Sequence, residues 1–166
     1  MKKSRIKKVV VIIAVVLLVI AAYLFYSRPM TIQQRYPMLT LDKCIGMDGY
    51  YRDGTSVEFE KFTIDKNSEE FERLCDLLYA QRYHHSLRDL LPRGTRIHPT
   101  VPGEFEWEVY FLFEDLVFPD GNVGSGAVLS IQSWYGELDI YFDGDRLSCY
   151  TNEQEAWARQ VLDIIR

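Results

Sequence analysis

Residues 105–113 read FEWEVYFLF, and their alternation sets the fold class. Phe105, Trp107, Val109, Phe111 and Phe113 fall on one side of an extended chain, with Glu106, Glu108, Tyr110 and Leu112 on the other. That period of two is the mark of a strand with one fully apolar face. Downstream, 127–134 (AVLSIQSW) forms a second strand, and Leu138, Ile140 and Phe142 alternate with Glu137, Asp139 and Tyr141 in a third. Asp143-Gly144 then signals a two-residue hairpin into Arg146-Leu147-Ser148-Cys149-Tyr150. Pro119-Asp120-Gly121-Asn122 and Gly124-Ser125-Gly126 turn the chain between the first two strands. The result is a meander with one apolar face and one wet Glu/Asp/Tyr face.

Two amphipathic helices flank the meander. Asn67 is placed to cap the first with Glu70 reaching back, and Phe71, Leu74, Cys75 and Leu78 make a single stripe that fades near Tyr83. At the C-terminus Asn152 and Glu155 form the matching box, with Trp157, Val161, Ile164 and Ile165 as the stripe. Upstream, 39–43 reads as a short strand. The glycines at 46, 49 and 54 mark turns, and 57–64 reads as a strand with a β-bulge at Glu60/Lys61 that keeps Val57, Phe59, Phe62 and Ile64 on one face. The fold expected is α+β: an antiparallel meander sheet with two amphipathic helices on one face, preceded by an N-terminal transmembrane helix.

That preceding helix is read from 9–26, VVVIIAVVLLVIAAYLFY, eighteen residues without a charge. At about 1.5 Å per residue it spans roughly 27 Å, close to a bilayer's hydrocarbon thickness. A soluble helix would keep a polar stripe, and this one has none. The competing reading is a cleaved secretory signal, but the run is longer than usual h-regions and exits through bulky Tyr23-Leu24-Phe25-Tyr26. Lys2, Lys3, Arg5, Lys7 and Lys8 precede the span, so the positive-inside rule places the tail 1–8 in the cytoplasm and the rest outside. Residues 27–38, with two prolines and no period, read as a stalk, and 39–166 as the extracytoplasmic domain. The location expected is the cell membrane, with the membrane itself as partner through 9–26.

Anchor, stalk, strand, the helix EEFERLCDLLYAQR, meander and the closing YTNEQEAWARQVLDIIR together resemble the small membrane-anchored extracytoplasmic domains of unknown function found in Gram-positive bacteria. The resemblance lies in architecture and implies no activity.

Charge and motif exclude several functions. Beyond residue 25 there are 14 basic residues against 24 acidic ones, a net charge of −10 that disfavours nucleic-acid binding. Cys44, Cys75 and Cys149 match no zinc spacing; one disulfide and none are both open, with unpaired thiols preferred. There is no P-loop, no dinucleotide fingerprint and no G-x-S-x-G, so no cofactor and no metal is expected.

The connection 82–104 carries His84, His85 and His98 with Arg82, Arg88, Arg93 and Arg96. Arg88, Arg93, Arg96 and His98 form the candidate anion site, suited to an anionic envelope polymer or headgroup. The plainer reading pairs these arginines with wet-face acids or leaves them in solvent. Glu106/Glu108 and Glu137/Asp139, two apart on strands, can divide general-acid and general-base duty in a dry cleft, but the plainer and preferred reading is that they are the acids any solvent-facing strand shows. Tyr110 and Tyr141 lie on the same face, where rings can stack on a sugar or meet a partner protein. The function expected is a non-catalytic binding or accessory protein of the cell envelope. The alternative is a small envelope hydrolase using those carboxylates and the 82–104 loop.

Overall fold

The computed structural model describes residues 2–53, 58–86, 105–118, 120–124, 126–134, 137–149 and 154–166. In chain order the elements are α1 (Lys2–Tyr26), β1 (Met30–Thr31), α2 (Ile32–Arg35), β2 (Cys44–Asp53), β3 (Glu60–Asp65) and α3 (Glu69–Leu74), which runs on as a π-turn over Cys75–Tyr79. Then come β4 (Arg82–His84), β5 (Phe105–Phe113), β6 (Leu116–Val117), β7 (Val123–Gly124), β8 (Ala127–Trp134), β9 (Glu137–Phe142), β10 (Asp145–Cys149) and α4 (Gln154–Ile165). Eight strands form one antiparallel sheet in the order β1-β4-β10-β9-β8-β5-β2-β3, and β6 and β7 pair separately as a short ribbon. The α+β class and the meander β8-β9-β10 read from the sequence are both present.

The odd-numbered residues of β5 point into the core, as their alternation requires: Trp107, Val109, Phe111 and Phe113 are buried. Both amphipathic helices cover this face. Phe71, Leu74, Cys75 and Leu78 of α3 and its π-turn are buried, and Tyr79 stacks obliquely on Phe111 with ring centroids 5.8 Å apart. Val161, Ile164 and Ile165 of α4 are buried, and the Trp107 indole donates to the Ala158 carbonyl at 3.0 Å, satisfying the one polar atom of the ring. Each fully buried Leu or Phe of this cluster contributes roughly 2–3 kcal/mol by removal from water.

Several expectations are corrected. Residues 44–53, read as turns because of their glycines, are β2, a central strand between β3 and β5. Gly49 is there because a side chain has no room: a Cβ would collide with the Glu108 carbonyl and sit 2.7 Å from the Phe62 ring. The bulge expected at Glu60/Lys61 is not found. β3 starts at Glu60 and pairs with β2 without a shift, while Phe59 stays exposed under the Arg52 guanidinium at 4.9 Å. The irregularity falls instead between Cys44 and Gly46, where β2 meets β5. The short strand expected at 39–43 is a 3-10 turn over Leu41–Lys43.

Residues 27–38 are not a free stalk. Met30 and Thr31 pair with Tyr83 and Arg82, and Ile32 is fully buried. Arg82–His84, assigned to a long loop, is therefore β4, and the Tyr83 hydroxyl donates to the Leu78 carbonyl at 2.6 Å. The apolar Met30 and Ile32 supply a short edge strand and a core plug, which composition alone hides among prolines.

The cap of α3 lies one residue later than expected. Ser68, extended at φ −87° and ψ 156°, accepts from the Phe71 N–H at 3.1 Å, so position N3 is Phe71 and the box with Glu70 does not form. Ser68→Ala is expected to lower stability by about 1 kcal/mol in urea denaturation, whereas Asn67→Ala should change it little. The other expected cap, Asn152, lies outside the described residues.

None of the cysteines is in a disulfide, and all three are buried. Burial, assisted by nearby Cys44, Asp76 and Glu72, pushes the Cys75 thiol up to about 12, and burial with Asp139 does the same for Cys149. A thiol free in the unfolded chain ionises near 9. The folded state therefore keeps protons that the unfolded chain releases, and this stabilisation is complete below pH 9 and lost as pH rises toward 12. The urea midpoint is expected to fall clearly between about pH 8 and about pH 10.5; an unchanged midpoint would place both thiols in contact with water.

Candidate functional site

The face of the sheet opposite the helices is a polar, tyrosine-bearing surface built by strand register. One row across it runs Lys61, Tyr50, Glu108, Gln132, Asp139, Ser148 and His84, each paired with the next. The adjacent row runs Thr63, Asp48, Tyr110, Ser130, Tyr141 and Arg146. Seven strands thus present polar groups to one side, because in each the side chains alternate and the apolar set is taken by the core.

Within this surface the groups hold one another. Glu108 accepts from the Ser130 hydroxyl at 2.5 Å and is hydrogen-bonded to the Tyr110 hydroxyl. Desolvation first, and Glu108 second, raise the Tyr110 hydroxyl well above its usual value, so it stays a protonated donor. Tyr50 and Tyr110 meet edge to face with centroids 6.1 Å apart, and Lys61 lies 5.6 Å above the Tyr50 ring. Asp48, Tyr50, Lys61, Thr63, Tyr110 and Val128 line an open hollow of about 480 Å³.

The face is less wet than its sequence implies. Glu106 and Asp139, expected in solvent, are 2% and 3% exposed. Arg52 pairs with Glu106 and Arg146 with Asp139, while Ser148 adds a hydroxyl to Asp139 at 2.8 Å. Arg146 also lies 5.3 Å above the Tyr141 ring. An arginine paired with each carboxylate is what makes the burial tolerable.

A second cluster sits where α1 meets the sheet. The Tyr26 ring is stacked on His85 with centroids 4.0 Å apart and planes within 6°. His85, 2% exposed, contacts Arg35 and lies 3.6 Å from Asp145. Asp145 receives Arg35 at 3.3 Å and the Tyr36 hydroxyl at 2.8 Å. Burial and then Asp145 raise the Tyr36 hydroxyl, which remains a donor. This cluster fixes the helix exit to the strand edge.

The anion site expected from Arg88, Arg93, Arg96 and His98 lies outside the described residues, as does the Glu137 side chain. Of the remaining loop residues, His84 falls on the polar face and His85 in the cluster at the helix exit, so the structure separates the two adjacent histidines. Among the described residues no group of three or more His, Cys, Asp or Glu is arranged to hold a metal. Asp48 and Tyr50 are missed because the glycines beside them read as turns, and Lys61 because a bulge is expected there; the alternation Asp48, Tyr50, Arg52 against Met47, Gly49, Tyr51 is the available signal.

Compared with protein-family models, with curated proteins and with solved structures, the chain gives no match.

Proposed function

We propose that this chain is a single-pass membrane protein with a cytoplasmic N-terminus, and that its outer domain is a binding or accessory protein of the cell envelope working through the polar sheet face. One observation carries the reading: Lys7–Tyr26 is a helix long and apolar enough to cross a membrane, and none of its hydrophobic window is buried in the protein. The core closes without it, so its side chains need another apolar medium. The five cations before residue 9 support the cytoplasmic placement of the N-terminus. The experiment is protease treatment of wall-stripped cells carrying a C-terminal tag. Loss of the tag is expected, and a protected tag would overturn the topology.

Binding is favoured over catalysis because Glu106 and Asp139 are already engaged with Arg52 and Arg146. The hydrolase alternative needs an uncommitted acid in a dry cleft, and the hollow is open. With Asp48 and Lys61 both in its lining, the hollow carries no net charge and suits a neutral, hydroxyl-bearing ligand such as a saccharide chain better than an anionic polymer. Sugar C–H faces can pack on Tyr50 and Tyr110 while the Asp48 carboxylate accepts hydrogen bonds from hydroxyls. Calorimetry with N-acetylated aminosugar oligomers is expected to show binding that Tyr110→Ala weakens about tenfold, the loss of roughly one aromatic contact. Binding unchanged by Tyr50→Ala and Tyr110→Ala together would remove the sheet face as the site.

A further inference from the structure

Strand register fixes which parts of the domain share the end where α1 leaves the sheet. Met30 pairs with Tyr83, so the chain before Met30 lies toward His85, and Ser148 opposite His84 puts Asp145 at that same end. Asp145 opposite Phe142, Tyr141 opposite Ser130, Ala127 opposite Phe113 and Phe113 opposite Cys44 carry the same end across β9, β8, β5 and β2. The helix exit, the Asp143-Gly144 turn, the start of β2 and the whole β6–β7 ribbon, which joins β5 to β8, therefore lie together.

This end is also where the domain leaves apolar surface uncovered. Outside α1, the large apolar side chains most exposed among the described residues are Ile45, Tyr50, Phe59, Val117, Val123 and Val128. Ile45, Val117, Val123 and Val128 all fall at the helix-exit end, whereas Tyr50 is mid-strand and Phe59 lies at the opposite end. Val117 and Val123 are a cross-strand pair, 52% and 66% exposed. Their ribbon is firmly built: Leu116 is fully buried at its base, Phe118 packs on Gly124, and the tip closes through Phe118 N–H to the Asn122 carbonyl at 2.9 Å.

The domain cannot stand far from the bilayer. Only residues 27–29 separate α1 from β1, at most about 11 Å of extended chain, and Tyr26 is stacked on His85. The ribbon lies three to four strands across from β4, about 15–20 Å at the usual spacing.

We infer that the helix-exit end of the sheet rests on the membrane and that Val117 and Val123 enter the headgroup layer as a second, reversible contact beside α1. The inference rests on the membrane reading above. Apolar side chains at an interface gain by leaving water, and a contact continuous with an anchor loses little further freedom on binding. The lipid it fits is zwitterionic. Among the described residues, Asp42, Glu114, Asp115, Asp120, Asp143 and Asp145 share this end with Arg28, Arg35, Lys43 and Lys66; Arg35 is held by Asp145, and the two lysines already donate to the Asp115 and Asp42 carbonyls at 3.1 and 2.6 Å. An anionic surface would meet a net negative edge.

The test uses the full chain in phosphatidylcholine vesicles, with an environment-sensitive fluorophore on Val123→Cys and, in parallel, on Phe59→Cys at the opposite end. The native thiols are buried and raised by that burial, so the new surface cysteine is the one labelled near neutral pH. Position 123 is expected to emit to the blue of position 59 and to lose intensity when the acyl chains are brominated, while position 59 does not. Val117→Cys serves as a second probe should the label at 123 disturb the ribbon. If 117 and 123 behave like 59 while protease finds α1 protected in the same vesicles, the docking inference is overturned and the membrane reading stands. If α1 is cleaved as well, both fall.

Discussion

Gly49→Val is expected to leave the domain unfolded, and Gly49→Ala to lower its stability by about 3 kcal/mol or more. The reason is position and not conformation. Gly49 lies opposite Val109 on one side and Phe62 on the other, inside β2. A Cβ there runs into the Glu108 carbonyl and approaches the Phe62 ring at 2.7 and 2.9 Å. The ring can swing, but the carbonyl belongs to a strand tied on both edges and cannot move without breaking the ladder. Gly46 is the control. Its added Cβ would meet the Ile64 carbonyl at 3.2 Å, so Gly46→Ala should cost only about 1 kcal/mol. Urea denaturation of the two alanine variants checks the ranking; equal, small losses would show that β2 is not a central strand. Against a typical stability of about 5–15 kcal/mol, the valine variant exhausts most of what holds the fold.

Arg52→Met is the second large effect, expected at roughly 3–5 kcal/mol. Glu106 is 2% exposed and held by Arg52, so removing the guanidinium strands a carboxylate in a medium that solvates it poorly. Arg52→Met together with Glu106→Met removes both charges and should recover most of the loss, since a buried pair contributes little net stability compared with apolar side chains of like volume. A double-mutant cycle by denaturant midpoint measures the coupling. A double variant as unstable as Arg52→Met alone would mean that Arg52 acts by packing on Phe59 and not through Glu106. The same cycle bears on function: a sheet carboxylate whose whole effect is on stability is a structural ion pair, and ligand binding should survive its replacement.

The elements that were legible are those whose pattern matches a single period. FEWEVYFLF alternates without interruption and is β5; the stripe Phe71, Leu74, Cys75, Leu78 is the buried side of α3 and its π-turn; Val161, Ile164 and Ile165 are the buried side of α4. Asp143-Gly144 closes β9 onto β10, with both residues at positive φ, the conformation that Asp and Gly tolerate. What misled was local punctuation. Gly46 and Gly49 look like breakers until Phe62 and Glu108 are seen closing on that strand, and Pro29 and Pro37 hide an edge strand and a buried Ile32 between them. At the candidate site, Glu108, Tyr110 and Tyr141 were visible as outward residues of clear strands, whereas Asp48, Tyr50 and Lys61 belong to strands misread or misplaced.

By itself the sequence determined the apolar helix, the polarity of its flanks, the two amphipathic stripes and the alternation of the meander, because each is a short-range pattern that water or lipid reads directly. Only the tertiary structure decided which acids on the polar face are buried, which arginine meets each, and that the helix exit, the ribbon and the exposed valines share one end of the sheet. Those facts depend on which strands become neighbours and in what register, and register is set by contacts between residues far apart in the chain.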